Sequence, residues 1–228
     1  MPTLRLLSYN VRSLRDDPDA LARVMRAARP DVVLVQEAPR FLRWRTECAA
    51  LARRAGLVLV TGGRASGANL VLSSLAVRTV ARHEIAFSPL PKLHRRGAAL
   101  AELELAGHRF AVAGTHLDLI ESARLTHLDE LAAAADQRVT GCPLIVGGDI
   151  NAVPGSLSWQ RLERFGVDAF AAVGTGAGFS YSAVQPVRRI DALFADPALR
   201  PLHAEVLDSA DVRIASDHRP LLVQYQLG

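Results

Sequence analysis

The chain has 228 residues, half of them hydrophobic, with 27 Lys plus Arg against 23 Asp plus Glu for a formal net charge of +4. That length suits one α/β domain over residues 1–228 with a large core, and the small basic excess permits an anionic ligand without requiring a nucleic-acid coat. Two cysteines, Cys48 and Cys142, are too few for a disulfide framework or a zinc ribbon, and no apolar stretch is long enough to cross a bilayer, so a reduced cytoplasmic protein without membrane insertion is expected.

In chain order, Leu4 to Asn10 and Asp31 to Glu37 read as buried strands, continuous and rich in β-branched residues as strands covered on both faces are. Met1 to Arg5 runs directly into the first, without the apolar core of a signal peptide. Between the strands, Leu21, Val24, Met25 and Ala28 follow the i, i+3, i+4, i+7 spacing of a helix that Pro30 stops. A second stripe, Trp44, Cys48, Leu51, Ala52 and Ala55, closes at Gly56. From Leu57 to His116 the texture is that of strands. Ala101, Leu103 and Leu105 alternate with Glu102 and Glu104, and Ala106-Gly107-His108 reads as a hairpin turn before a return strand over Phe110 to His116. This predicts a meander with one wet face.

Leu125, Leu128, Leu131, Ala132 and Ala135 form a third helical stripe, and Pro143 to Val146 a strand leading into Gly147-Gly148-Asp149. A fourth helix is predicted over Leu157 to Phe165, followed by short strands over Phe179–Ser182, Arg189–Phe194, Ala204–Leu207 and Leu221–Tyr225. Gly174 to Gly178 reads as a surface loop, and the chain has no internal repeat or linker. Mixed strands with helices outside predict an α/β (α+β) fold of four layers, two packed mixed β-sheets flanked by helices.

Polar groups recur at the ends of the apolar strands: Asn10, Glu37, His116, Asp149 with Asn151, and Asp217 with His218, while Asp191 sits inside a further strand. Strand ends are where α/β sheets gather ligands, because rigid strands hold loops that converge. Singly, each has a plainer explanation: Asn10 a turn former, Glu37 a solvated loop carboxylate, Gly-Gly-Asp a turn, His116 a structural histidine. Together they are the groups that hold a hard cation, activate water and neutralise an oxyanion. Metal-assisted hydrolysis of a phosphate ester is the reaction they fit.

The segments Leu7-Ser8-Tyr9-Asn10-Val11, Val35-Gln36-Glu37, Gly114-Thr115-His116-Leu117-Asp118, Gly147-Gly148-Asp149-Ile150-Asn151, Arg189-Ile190-Asp191-Ala192-Leu193-Phe194 and Ala215-Ser216-Asp217-His218-Arg219-Pro220 resemble, in this order, the endonuclease/exonuclease/phosphatase superfamily. The similarity runs from the first strand to the last, with weaker support at Gly67-Ala68-Asn69-Leu70 and Arg95-Arg96-Gly97-Ala98. The resemblance implies a DNase I-like fold and a Mg²⁺ or Mn²⁺ ion, with Glu37 as principal metal ligand, Asn10 helping to fix that site and Asp217 beside the metal. It implies that Asp149 orients or deprotonates the attacking water while Asn151 holds the water or a phosphoryl oxygen. His218, oriented by Asp191, and His116 would contact the phosphoryl group.

The implied activity is that of a metal-dependent phosphodiesterase or nuclease, a monomer acting on a phosphate ester, with DNA or RNA as first candidate. Arg12, Arg95, Arg96 and Arg188 flank the site segments and suit backbone phosphates. No long insertion mixing basic and aromatic residues, of the kind that grips DNA grooves, is present. A phosphatase or phosphodiesterase for a small or lipid phosphate ester is therefore the alternative. Two-metal calcineurin-like phosphoesterases also carry Gly-Asp-x-Asn, but this chain has neither their Asp-x-His opener nor their closing Gly-His-x-His.

Overall fold

The two strands that read as continuously apolar lie side by side. In the computed structural model, which describes residues Met1–Gly228, β1 (Thr3–Asn10) and β2 (Val32–Gln36) are parallel neighbours joined by α1 (Pro18–Ala28). The helix starts because the Asp17 carboxylate accepts from the Asp19 and Ala20 amides at 3.0 and 2.9 Å, with Pro18 in its first turn. It stops at Arg29, whose φ of 46° is left-handed.

The next elements are α2 (Trp44–Ala55), closed by left-handed Gly56, then β3 (Val58–Gly63), β4 (Asn69–Ser73) and β5 (Arg78–Ala86). β6 (Gly97–Leu105) and β7 (His108–His116) form the predicted hairpin, turning at Ala106-Gly107. α3 (Glu121–Arg138), β8 (Leu144–Asp149), α4 (Leu157–Leu162), β9 (Val167–Asp168) and α5 (Ala169–Val173) follow. The chain finishes with β10 (Asp191–Ala195), β11 (Arg200–Val206), α6 (Ala210–Ala215) and β12 (Leu221–Gln226).

The strands make two six-stranded mixed sheets, ordered β11-β12-β1-β2-β4-β3 and β5-β6-β7-β8-β10-β9. Leu4, Leu6, Val32 and Leu34 of the first meet Ala101, Phe110, Val112 and Leu193 of the second in the central core. The outer face of the first sheet packs on α1, α2 and α6 through Leu21, Met25, Cys48, Leu51 and Val212. The outer face of the second packs on α3 and α4 through Leu128, Leu131, Trp159 and Leu162. The four predicted layers are present. Pairing slips by one residue in three outer strands, between Leu59 and Thr61, Thr79 and Ala81, and Pro201 and His203.

Several local expectations are corrected. Phe179–Ser182 is a loop, with only isolated bridges from Tyr181 to Arg188 and His218. The wet face of the β6–β7 hairpin is confined to its far end, because α3 covers the rest and Glu102 is itself buried and paired with Arg109. Leu125 is only half-buried, and Arg124 and His127 take the inward positions instead. α5 and α6 have no counterpart in the sequence reading; at five and six residues they are too short to show a periodic stripe, and only Asp168 and Ser209 mark their starts.

Candidate active site

Strand register collects the polar groups at one end of the sandwich. Asn10 stands beside Gln36, the residue before Glu37; His116 stands beside Asp149, and Asp149 beside Asp191. Asp191 is the first residue of β10 rather than an interior one, and Asp217-His218 precedes β12 rather than following a strand. Both corrections have one cause: β10 and β12 run antiparallel to β8 and β1, so their starts lie where their neighbours end.

Two glycines let β8 reach this position. A Cβ on Gly147 would lie 2.1 Å from the Ala192 carbonyl oxygen, and one on Gly148 would lie 2.0 Å from that of Thr115. Gly148 also has φ +137°, which a side chain resists. The pair therefore allows β8 to sit close between β7 and β10 and to present Asp149.

Asp149 is at the centre. Its Oδ2 accepts from Asn10 Nδ2 at 2.9 Å and lies 3.4 Å from His116 Nε2 and 3.5 Å from His218 Nε2; its Oδ1 accepts from the Asn151 amide at 3.1 Å. The Asn10 bond crosses from one sheet to the other. Asn10 Nδ2 also donates to Glu37 Oε1 at 3.2 Å, while its Oδ1 accepts from the Arg12 amide at 3.0 Å. Asn10 thus aligns two carboxylates. Ser216 Oγ donates to the Asn10 carbonyl at 2.7 Å and ties the loop before β12 to the end of β1.

The two imidazoles are driven apart in charge. Burial acts most strongly on His218 and opposes its protonation, but Asp191, accepting from Nδ1 at 2.9 Å, and Asp149 together raise its pKa to about 10. His116 lacks a comparable partner, and burial lowers its pKa to about 3. A neutral His116 ring that accepts from Asn151 Nδ2 at 3.0 Å carries its proton on Nδ1, the nitrogen 3.9 Å from Glu37 Oε1. One histidine is a cation and the other a dipole.

Glu37 is the most open of these carboxylates, 39 % exposed, and its φ of 51° is left-handed. Its carbonyl accepts from the Ser13 amide at 2.7 Å and the next amide donates to the Ala68 carbonyl at 2.9 Å, so the strained turn is held on both sides. Arg12, Ser13 and Leu14 are left-handed as well, and this turn carries the Arg12 guanidinium to 3.4 Å from Asp217. Asp217 is about one-third exposed.

Ligand-type atoms of Asp149, Asp191 and His218 lie within 4.8 Å of one another. A cation bound through His218 Nε2 would require a stabilised imidazolium to lose a proton, so that trio reads better as an ion-pair cluster. Glu37, flanked by the Asn10 amide and opening toward solvent, offers oxygen donors instead, and both cysteines lie elsewhere, Cys48 buried in α2 and Cys142 before β8. Such a donor set fits a hard divalent ion.

All eight sequence-selected residues, Asn10, Glu37, His116, Asp149, Asn151, Asp191, Asp217 and His218, lie at this end; Asp217 is the outlying one, facing Arg12. Two neighbours were missed. The Tyr181 ring lies 5.0 Å from that of His218, on the loop expected to be a strand, where a lone tyrosine carries no pattern. Buried Arg124 donates to the Asp118 and Leu119 carbonyls at 3.1 and 2.8 Å and to Ser158 Oγ at 2.9 Å, fixing the loop after His116; it was hidden in a helical stripe.

The model of the Endonuclease/Exonuclease/phosphatase family matches residues 7–218. No curated protein sequence matches the chain. Among solved structures, an endonuclease/exonuclease/phosphatase from Bacteroides vulgatus is similar with a TM-score of 0.84 at 18 % identity, covering 100 % of both chains. The mannosyl-6-phosphatase Bt3783 of Bacteroides thetaiotaomicron gives 0.83 at 17 %, covering 98 % of this chain and 100 % of that one. The human Nocturnin catalytic domain gives 0.73 at 16 %, covering 100 % and 95 %. Identities this low speak for the fold alone.

Proposed function

We propose, from the premise that the chain belongs to the endonuclease/exonuclease/phosphatase family, that residues 1–228 act as one domain that hydrolyses a phosphodiester, nucleic acid foremost, with Mg²⁺ or Mn²⁺. The observation that supports the reading is the position of Asp149 Oδ2, within 3.5 Å of an amide and two imidazoles, one favoured as a cation and the other as the neutral ring.

The divalent ion, held by Glu37 with Asp217 nearby, would supply positive charge to the phosphoryl oxygens and lower the pKa of a bound water. Asn10 orients Glu37 and Asp149 through its amide. Asp149, its other oxygen fixed by the Asn151 amide, takes the proton of the attacking water. His218, kept protonated by Asp191, places an Nε2–H on a phosphoryl oxygen and offsets the charge that develops there. Neutral His116 and the Asn151 side chain hold a second side of the same group. Water attacks phosphorus as the bond to the ester oxygen breaks; the proton taken by Asp149 passes to solvent, and the leaving oxygen takes a proton from solvent in exchange.

A lipid phosphate ester is the second reading, supported by apolar side chains on the loops around the mouth: Phe41 and Leu42 are 74 and 92 % exposed, and Leu119, Val184 and Val187 are exposed as well. Hydrolysis of bis-p-nitrophenyl phosphate, duplex and single-stranded DNA, RNA and lipid phosphate esters, each with Mg²⁺ or Mn²⁺ and with excess EDTA, tests the proposal. Cation-dependent cleavage of the diesters is expected. Full turnover in EDTA would overturn the metal-assisted reaction, and release of a head group with nucleic acid left intact would select the lipid substrate.

A further inference from the structure

Beside the catalytic mouth, an open groove of about 1280 Å³ runs between the outer strands β3 and β5 of the two sheets. Arg45 from α2, Arg64 from the loop after β3, Arg82 from β5, and Arg95 with Arg96 from the segment leading into β6 line it, against the single carboxylate of Glu84. Of the five, only Arg96 has a carboxylate partner, Asp118 at 3.7 Å. Five arginines against one carboxylate give the groove a positive field, which attracts an anionic ligand.

Arg96 marks the inner end. Its side chain is 10 % exposed and lines the groove, and its buried Nε–H faces Asp118 Oδ2 at 3.7 Å, too far for a hydrogen bond. A buried donor left unpaired costs roughly 1–3 kcal/mol, and more when charged. The rest of the guanidinium lines the groove, where an anionic oxygen would add to a pairing that Asp118 makes only at long range. Asp118, its ion-pair partner, lies two residues beyond His116, so Arg96 adjoins both the groove and the catalytic end.

The groove extends away from this point. Ala86 pairs with Gly97, next to Arg96, and Arg82 lies four residues further along β5, roughly 13 Å at 3.3 Å per residue. One phosphate cannot span that distance. The aromatic wall is not a stacking platform: the Arg45 guanidinium lies over the Trp44 ring at 4.4 Å, and the ring also packs on Gly63. A ligand here would be recognised by charge along its length rather than by its bases.

We propose that this groove binds the backbone of a single nucleic-acid strand beyond the scissile phosphate, one phosphate at Arg95 and Arg96 and another at Arg64 and Arg82. The proposal rests on the phosphodiesterase reading above and adds where the strand runs and that its bases are not read.

Binding of a fluorescein-labelled ten-nucleotide DNA strand, followed by anisotropy in EDTA over a salt series, separates the groove from the chemistry. The double variant Arg64→Gln, Arg82→Gln changes two exposed side chains, so folding should hold, which its melting temperature checks. Its affinity should fall at least about tenfold, and the slope of log K against log salt should shrink by about 1.4, the value for two lost phosphate contacts on a single strand. The charge reversal Arg64→Glu, Arg82→Glu should weaken binding further. Equal affinity of variant and unaltered protein overturns the proposal. So does a labelled mononucleotide bound as tightly as the ten-mer, which would make this a single-anion pocket, or phosphatidic acid vesicles that bind with the same arginine dependence and displace the strand. Failure of the hydrolytic reading would appear separately, as no turnover of bis-p-nitrophenyl phosphate by the unaltered protein with either cation.

Discussion

In the proposed mechanism Asp149 and His218 have different roles at adjacent positions, and their replacement separates the two. Asp149→Asn removes the proton acceptor but keeps the Asn10 contact, and His218→Ala removes the buried cation; each should lower kcat by at least about a hundredfold in initial-rate assays. Asp191→Asn should give a milder loss, because the imidazole remains while its orientation and charge weaken. In the Asp191→Asn, His218→Ala double variant the two losses should not add, since Asp191 acts through the ring that is gone; simple additivity would dissolve the pair. Glu37→Gln keeps shape and removes one anionic donor, so the cation concentration for half-maximal rate should rise, and an unchanged titration would make Glu37 structural. All eight polar residues at this end could be picked from the sequence because each closes or opens an apolar run. Their pairing could not: nothing in the text at Asn10 says that its amide bridges to Asp149, 139 positions away and in the other sheet.

The strands and helices that carry those side chains were legible where a pattern was long enough to repeat. α1, α2 and the β6–β7 hairpin follow from stripes, Pro30, Gly56 and the turn at Ala106-Gly107. α3 shows where pattern reading slips by one position: Leu125 looks like a core residue, yet the inward place goes to Arg124, whose charge is met by two carbonyls and a hydroxyl. Arg124→Ala should therefore cost at least about 2 kcal/mol in urea unfolding and loosen the loop after His116, because hydrogen bonds from a charged donor are the strong ones. Lysine, with one compact donor group, should restore little. β8 depends on its glycines in the same way. Gly148→Ala should destabilise by about 3 kcal/mol or more, adding overpacking against the Thr115 carbonyl to a disfavoured φ, measurable as a lowered urea midpoint.

At the scale of the molecule, the layers followed from composition and element order, whereas strand direction did not. Asp191 was expected inside a strand and Asp217-His218 at the trailing end of one, and instead they open β10 and precede β12, because hydropathy has no arrow: an apolar run reads the same whichever way its strand lies against a neighbour. Each sheet also stops somewhere, and a stopping strand offers unpaired backbone groups to any passing chain. Here the four terminal strands are poor templates for such pairing. β9 has two residues, and β3, β5 and β11 each carry a one-residue register slip that bends the ladder out of line. On β5, the longest of them, Arg82 and Glu84 add charge along the rim. Replacing Arg82 and Glu84 by valine should leave the fold intact and make the protein self-associate, seen as light scattering that rises with concentration. The irregular outer strands thus act as a barrier to edge-to-edge pairing at the four open rims of the two sheets.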